Sequence, residues 1–437
     1  MADDPRSRIA HLYRRIGFGA SPTVLDTAVA AGFDATVDAL FDPSVPDGGA
    51  AATPPPTAFV LIAPLPATSG EEKKVRNNVK RTQNIGLMRW WLDRMTAAER
   101  PLAEKMTLFW HGHFATGIGK VDEAIYMLGQ NQIFRTAGLG RFEPLALAVA
   151  KDQAMLVWLD ANDNKKGSPN ENFARELMEL FTIGIGSYSD GDVREAARAF
   201  TGTRVERRTG TISVLARQLD SSSKTILGDT RTFGFDDTVS FLANRPETAS
   251  FVSSKLWSRF AYPVATTDPV VADIAGVFRQ SGDLTAVMKA IVRHPQFVSV
   301  TARQGLVKQP IEWVVGSMRA LGMRANEFEV LGPDPLDTLR DLNQVPFNPP
   351  SVGGWPQNGY WLSTATALTR LRYANALAGR ANLSWLTGVA APSRPDALAR
   401  QLSVDGWSRA TLAGLQKAST PKSQVAVALT SPEYVLA

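Results

Sequence analysis

Cysteine is absent from this 437-residue chain, so it forms no disulfide, offers no thiolate nucleophile and builds no zinc–thiolate site. That absence does not fix a compartment, because exported and cytosolic proteins alike can lack cysteine. No apolar run approaches the ~20 residues that a membrane-spanning helix needs; the stretch TAFVLIAPL at residues 57–65 is short and closed by prolines. The first residues, MADDPRSRIAHLYRRIGFG, contain no basic segment followed by an apolar one. This leaves either a cytoplasmic protein or one whose signal segment has been removed. Histidine is scarce, with four in all. No Gly-x-Ser-x-Gly is present, and Gly17 and Gly19 do not follow a strand, so neither a nucleophile elbow nor a dinucleotide fingerprint is expected. The net charge of +5 comes from scattered Arg and Lys. The densest basic run, EEKKVRNNVKR at 71–81, carries two acidic residues and no aromatics, which suits a solvated helix face and no nucleic-acid groove.

What is present reads mostly as helix. Capping residues, prolines and glycines punctuate helical periods at 84–97, 102–111, 122–136, 144–159, 171–183, 191–201, 247–260, 268–279, 283–293, 306–321 and 363–380. The expected fold is therefore mainly α: a single large helical domain over residues 1–437 with a small β-hairpin insert near residues 203–236. Within that insert RVERRTGTISVLARQ reads as a hairpin turned at Arg208-Thr209-Gly210, followed by a Ser-rich loop, SSSKTILG. Two segments are irregular: a Pro/Gly-rich loop at 43–70, and an aromatic Pro/Gly loop at 344–361, QVPFNPPSVGGWPQNGYW. The second serves either as a packed plug or as the border of a cleft that binds sugar rings or extended chains.

The chemistry concentrates in DANDNKKGSPNENFARELMELFT, residues 160–182. At 100° per residue Phe173, Leu177, Leu180 and Phe181 form the buried face, and Glu176 lies at its edge. A carboxyl group beside Phe and Leu loses water, which raises its pKa and prepares it as a proton donor. Glu171, Glu179 and Arg175 lie on the more polar side, and Asn170 and Asn172 either cap the helix or contact a substrate. A second cluster is PLAEKMTLFWHGHFAT, residues 101–116. Met106, Phe109, Trp110 and His113 share one stripe, while His111 shares the face of Glu104, which would fix its tautomer. In an unbroken helix His111 and His113 are about 200° apart; a break at Gly112 would let them converge on one metal ion. Both clusters are expected to face one cleft.

The blocks HLYRRIGFGASP, PLAEKMTLFWHGHFAT, GSPNENFARELMELFTIGIGSYSDGDVREAARAFTGT, FVSSKLWSRF, QPIEWVVGSMRALG and QVPFNPPSVGGWPQNGYWLSTAT, taken in order, resemble the bacterial family catalogued as domain of unknown function 1800. The resemblance runs from about His11 to Thr366. It implies a periplasmic or extracellular protein with one family-length domain, often encoded beside a sulfatase-like partner; it assigns no activity. The chain departs from the pattern at Thr203, where many relatives have Trp, at Gln218-Leu219-Asp220, where many have a His–Asp, and at Phe181, where some have His.

Three functions fit these residues. The first is an exported hydrolase of a glycoside or other polar polymer, with Glu176 as proton donor, Glu171 or Glu179 as base or nucleophile, and His111 or His113 orienting the substrate or a carboxylate. Glycoside cleavage needs two carboxyl groups roughly 5 to 10 Å apart. Asn170, Asn172, Arg175, Trp110, Trp355 and Trp361 would hold the sugar. The second is a metal-dependent hydrolase or oxidoreductase using a divalent ion on His111 and His113 with Glu176 or Glu179. The third is a non-catalytic, calcium-stabilised module, since Asp160, Asn162, Asn164, Ser168 and Glu171 match EF-hand ligand positions, although Lys165 replaces the glycine that loop requires.

Overall fold

The computed structural model describes residues 4–62, 69–328 and 334–436. Its helices begin where the sequence supplies caps. In α1 (Pro5–Ile16) the Asp4 carboxylate accepts from the Arg6 and Ser7 amides ahead of a first-turn proline. The helix expected at 84–97 starts earlier, as α2 (Gly70–Ala97), because Ser69 and Glu72 form a capping box. The EEKKVRNNVKR run lies on its largely exposed first turns. There follow α3 (Leu102–His113), α4 (Ala124–Ala137) and α5 (Asn172–Glu176), the last continuing as a π-helical turn over Leu177–Phe181. The period at 144–159 is divided in two, Phe142–Ala150 and Gln153–Trp158, because the Asp152 side chain accepts from the Ala154 and Met155 amides and starts a new helix. Further on come α6 (Asp190–Ala199), α7 (Pro246–Phe260), α8 (Pro310–Ala320), α9 (Thr364–Arg380) and α10 (Pro421–Thr430).

The β insert is two hairpins rather than one. Strands β1 (Thr203–Glu206) and β2 (Thr211–Val214) pair antiparallel, with Thr203 opposite Val214 and Glu206 opposite Thr211. The Ser-rich segment expected as loop contains β3 (Lys224–Ile226), which pairs with β4 (Asp229–Arg231) just beyond it. Their two-residue turn, Leu227-Gly228, has φ of 49° and 81°, the pair of left-handed residues that a tight hairpin needs. Leucine rarely adopts this conformation; here its amide donates to the Asp192 carboxylate at 2.6 Å, which holds it. In the loop expected at 43–70, residues Gly48–Ala51 form one helical turn, and 63–68 lie outside the described residues.

Two apolar cores carry the molecule. One gathers Trp110, Phe114, Phe142, Phe181 and Trp257; the other gathers Trp91, Trp313, Trp361, Tyr373 and Leu377. Trp158 packs against both. Each fully buried Leu or Phe among them contributes roughly 1.5–3 kcal/mol by leaving water. α3 carries residues of both cores, Trp110 in the first and Leu108 in the second, so side chains on its remaining faces are held at the junction.

Candidate functional site

Helix α3 runs unbroken through Gly112 to His113, so its two imidazoles stay on opposite sides and do not form the expected metal pair. His111 is 1% exposed, and its Nε2 accepts the Phe347 amide at 3.0 Å. Trp91, Phe347 and Trp355 surround its ring, and burial holds its pKa down to about 3. Glu104, expected to orient it, is instead buried under Trp91 Nε1 at 2.9 Å, Arg94 and Arg135. His113 donates from Nε2 to the Phe181 carbonyl at 3.0 Å; burial, then the nearby charge of Lys255, keep its pKa at about 3. Among the described residues no three His, Asp or Glu side chains converge as a metal site would require.

Gly112 makes no break; its carbonyl is where the aromatic loop meets α3. A Cβ on Gly354 would lie 2.2 Å from the Gly112 carbonyl, so Gly354 lets the aromatic loop touch the α3 backbone, whereas a Cβ on Gly112 itself would meet only Trp355, at 3.9 Å. That loop is largely a plug. Phe347 and Trp361 are 1% exposed, and Trp355 is 9% exposed. Trp361 and Trp110 therefore offer no stacking face; Trp110 Nε1 is spent on the Gly138 carbonyl at 2.8 Å. Trp355 reaches a cavity. It does so with His113, Leu180, Lys255, Gln309 and Gln357 around a space of about 100 Å³.

The Asn-rich loop is a brace. Asn162 exchanges hydrogen bonds with both backbone groups of Val205 in β1, Asn164 donates to the Ala197 carbonyl of α6, and Asn164 accepts from the Asn170 amide. Asn170 accepts from the Asn172 amide, and Asn172 donates to Asp160. Asp160 also pairs with Lys120, and Glu171 pairs with Arg175 at 2.8 Å, so of the expected calcium ligands Asp160, Asn162, Asn164 and Glu171 point to protein partners. Glu171 lines an open depression of about 520 Å³ with Asp192, Arg194, Glu195 and Arg198; it shares no lining residue with the His113 cavity. The expectation of one cleft for both clusters is thus met only through the backbone and Leu180. Glu176 stands apart: half-buried, it has no hydrogen-bond or ion-pair partner among the described residues. Lost water, then the negative charge of Glu179, raise its pKa. Glu179 accepts the Tyr188 hydroxyl at 2.6 Å. The two carboxyls sit where α-helix gives way to π-helix, a widened turn frequent at functional sites.

A third cluster lies where α1, α3, α7 and α8 meet. Arg14, Arg15, Lys105, Arg259 and Lys308 line a small cavity with one carboxylate, Glu312. Burial alone would raise that carboxyl, but Arg259 at 2.9 Å and Lys105 hold it far below the carboxylate range. Burial lowers Lys105 to about 8 and Arg15 to about 9. Arg259 also lines the His113 cavity, and Arg14, Phe18 and Lys308 also line a groove of about 460 Å³ on the other side.

The family model described as "Protein of unknown function (DUF1800)" matches residues 11–436. The chain belongs to that family. No curated protein and no solved structure matches it. The DUF1800 blocks seen in the sequence converge at this third cluster: Arg14 and Arg15 from HLYRRIGFGASP, Lys105 from PLAEKM, Arg259 from FVSSKLWSRF and Glu312 from QPIEWVVG. Sequence reasoning overlooked them, yet a signal was there. Lys105 lies on the stripe of Leu102, Met106 and Phe109, and Glu312 sits among Ile311, Val314 and Val315, charges at positions whose period demands burial. At the DUF1800 positions where this chain departs, Asp220 is held by Arg198 at 2.8 Å, and the Phe181 ring lies 6.2 Å from that of His113.

Proposed function

We propose that this chain is a hydrolase of a glycoside or other polar polymer, working by carboxylate acid/base chemistry on the α–π segment. The observation that carries the reading is Glu176, a half-buried carboxyl with no partner among the described residues and with its pKa raised by lost water and by Glu179. A carboxyl whose pKa is raised keeps its proton to higher pH than an ordinary glutamate and can give it to a leaving-group oxygen. Glu179, oriented by the Tyr188 hydroxyl, takes the second role, activating water or attacking the sugar carbon. Leu180, one turn beyond Glu176, lines the cavity walled by Trp355, Gln309 and Gln357, and there an aromatic face and amide groups suit a terminal sugar unit. Arg175, Glu171 and the Asn-rich loop support the segment from behind. His111 keeps a structural part in this scheme, as the acceptor for the Phe347 amide of the aromatic loop. The compartment belongs to the same proposal: periplasmic or extracellular, where polymeric substrates occur.

The test is a screen of soluble polysaccharides and chromogenic glycosides for release of reducing ends or chromophore. Wild-type protein is compared with Glu176→Gln and Tyr188→Phe. Glu176→Gln should lower kcat by about 10²–10⁴-fold with the melting temperature kept, as loss of a general acid does. Full activity in Glu176→Gln would remove the assignment.

A further inference from the structure

Lys308 is 8% exposed, and its ammonium group has no hydrogen bond or carboxylate partner among the described residues; it rests 3.4 Å from the centre of the Tyr434 ring. Beside it Arg15 is 3% exposed with its Nε unpartnered, one of its two terminal nitrogens, Nη2, being spent on the Ala302 carbonyl. Arg14 reaches the Ser403 carbonyl and stands 3.5 Å from Asp405, a carboxylate at the surface. Glu312 is already engaged by Lys105 and Arg259. Five cations thus share one lining carboxylate in a cavity with room for about one water, which shares Arg14, Phe18 and Lys308 as walls with the groove of about 460 Å³.

Removing cations from water without anionic partners is unfavourable, and a fold that only needed stability would place apolar residues there. Arginine and lysine converging on one point are the arrangement that proteins use for tetrahedral oxyanions, with Arg supplying directed donors and Lys a point charge. Burial pushes the Lys308 ammonium well below its ordinary range, with the charge of Arg14 adding to the effect, so an anion arriving there would restore the charged form.

We propose that the mouth of this cavity, at Lys308 and Arg14 with Arg15 behind them, is a binding site for a tetrahedral oxyanion, phosphate or sulfate, free or as the head of an ester whose body lies in the adjoining groove. Tyr13, Phe18, Pro101 and Met323 of that groove would take an apolar or ring-shaped body. The site is independent of the Glu176 carboxyl, so the two readings succeed or fail separately.

The experiment is thermal unfolding and calorimetric titration of the full chain with sodium phosphate, sodium sulfate and phenyl phosphate, against sodium chloride at equal ionic strength. Wild type, Lys308→Met and Lys308→Arg are compared. Phosphate or sulfate should raise the wild-type Tm by roughly 3 °C or more above chloride. Lys308→Met should weaken the affinity by about tenfold or more, and Lys308→Arg should retain most of it. Tighter binding of phenyl phosphate than of phosphate identifies an ester ligand; equal binding identifies the free ion. No rise above the chloride control, or the same rise in Lys308→Met as in wild type, overturns the site and leaves the cations as a purely structural network.

Discussion

Glu176, His111, His113 and Asp152 differ in what their burial does to protonation, and each difference has a sign that stability measurements read. The two histidines are buried neutral, with pKa values of about 3 against the 6.5 of an unfolded chain. Their folded pKa values are depressed, so the folded state binds fewer protons between those limits. Their contribution is complete above pH 6.5 and is lost as pH falls towards 3. At pH 5 each should cost about 2 kcal/mol relative to pH 7. Urea unfolding at the two pH values checks this, and equal midpoints would contradict it. Asp152 runs the opposite way. Burial raises its carboxyl to about 7 although it accepts from Gln130 and from the Ala154 and Met155 amides. A raised carboxyl contributes below its unfolded pKa and loses that contribution as pH rises through 7. Asp152→Asn keeps the helix cap and should gain roughly 2 kcal/mol at pH 8, with little gain at pH 4, by the same unfolding measurement.

At the scale of elements, the contact between α3 and the aromatic loop decides where both histidines point. Gly354 adopts a φ of 78°, and a methyl group there would meet the Gly112 carbonyl. Gly354→Ala should therefore cost about 2–3 kcal/mol and move Trp355, which urea unfolding and tryptophan fluorescence report. An unchanged midpoint and emission would show that the backbone approach is not close. This contact also shows where sequence reasoning stops. The period of α3 places His113 on the Phe109 stripe, and the structure agrees. A break at Gly112 is a local inference, whereas the contact that its carbonyl makes is with a residue more than two hundred positions away in the chain. The Ser-rich segment failed for a related reason. Leu227 in a left-handed turn is disfavoured by its own backbone and is kept there by the Asp192 carboxylate, a partner no local window contains. The helices expected at 191–201 and 247–260, by contrast, were legible to within a residue or two, because Ser189 and the first-turn Pro246 act on their own neighbours, whereas the helices capped by Asp4 and Ser69 were missed or started late.

For the molecule as a whole, the helical fold brings the family blocks together around Glu312, a meeting that periodicity hinted at only through charges on apolar stripes. Because Glu312 is the sole lining carboxylate for five cations, Glu312→Gln should destabilise by about 3–5 kcal/mol, the cost of leaving buried charge without its partner. Lys308→Met in chloride buffer should be neutral or stabilising, since it removes a buried ammonium that has no carboxylate among the described residues. Denaturant midpoints of the two variants decide this, and a loss in both of similar size would contradict the charge imbalance. The candidate carboxylates were legible as a cluster because several chemical residue types crowd one helix. Their separation into a braced Glu171 and an unpartnered Glu176 was not, because it depends on Arg175, Tyr188 and the π-helical turn acting together.

The premise beneath the proposed activity is the protonation of one side chain, and it is measured without knowing the substrate. In protein labelled at the glutamate carboxyl carbons, the signal that disappears in Glu176→Gln is followed by NMR as pH is varied. The expected midpoint lies above the ordinary glutamate value of about 4.3 and falls when Glu179→Gln removes the neighbouring charge. A midpoint at or below the ordinary value, unmoved by Glu179→Gln, would contradict the assignment of Glu176 as proton donor.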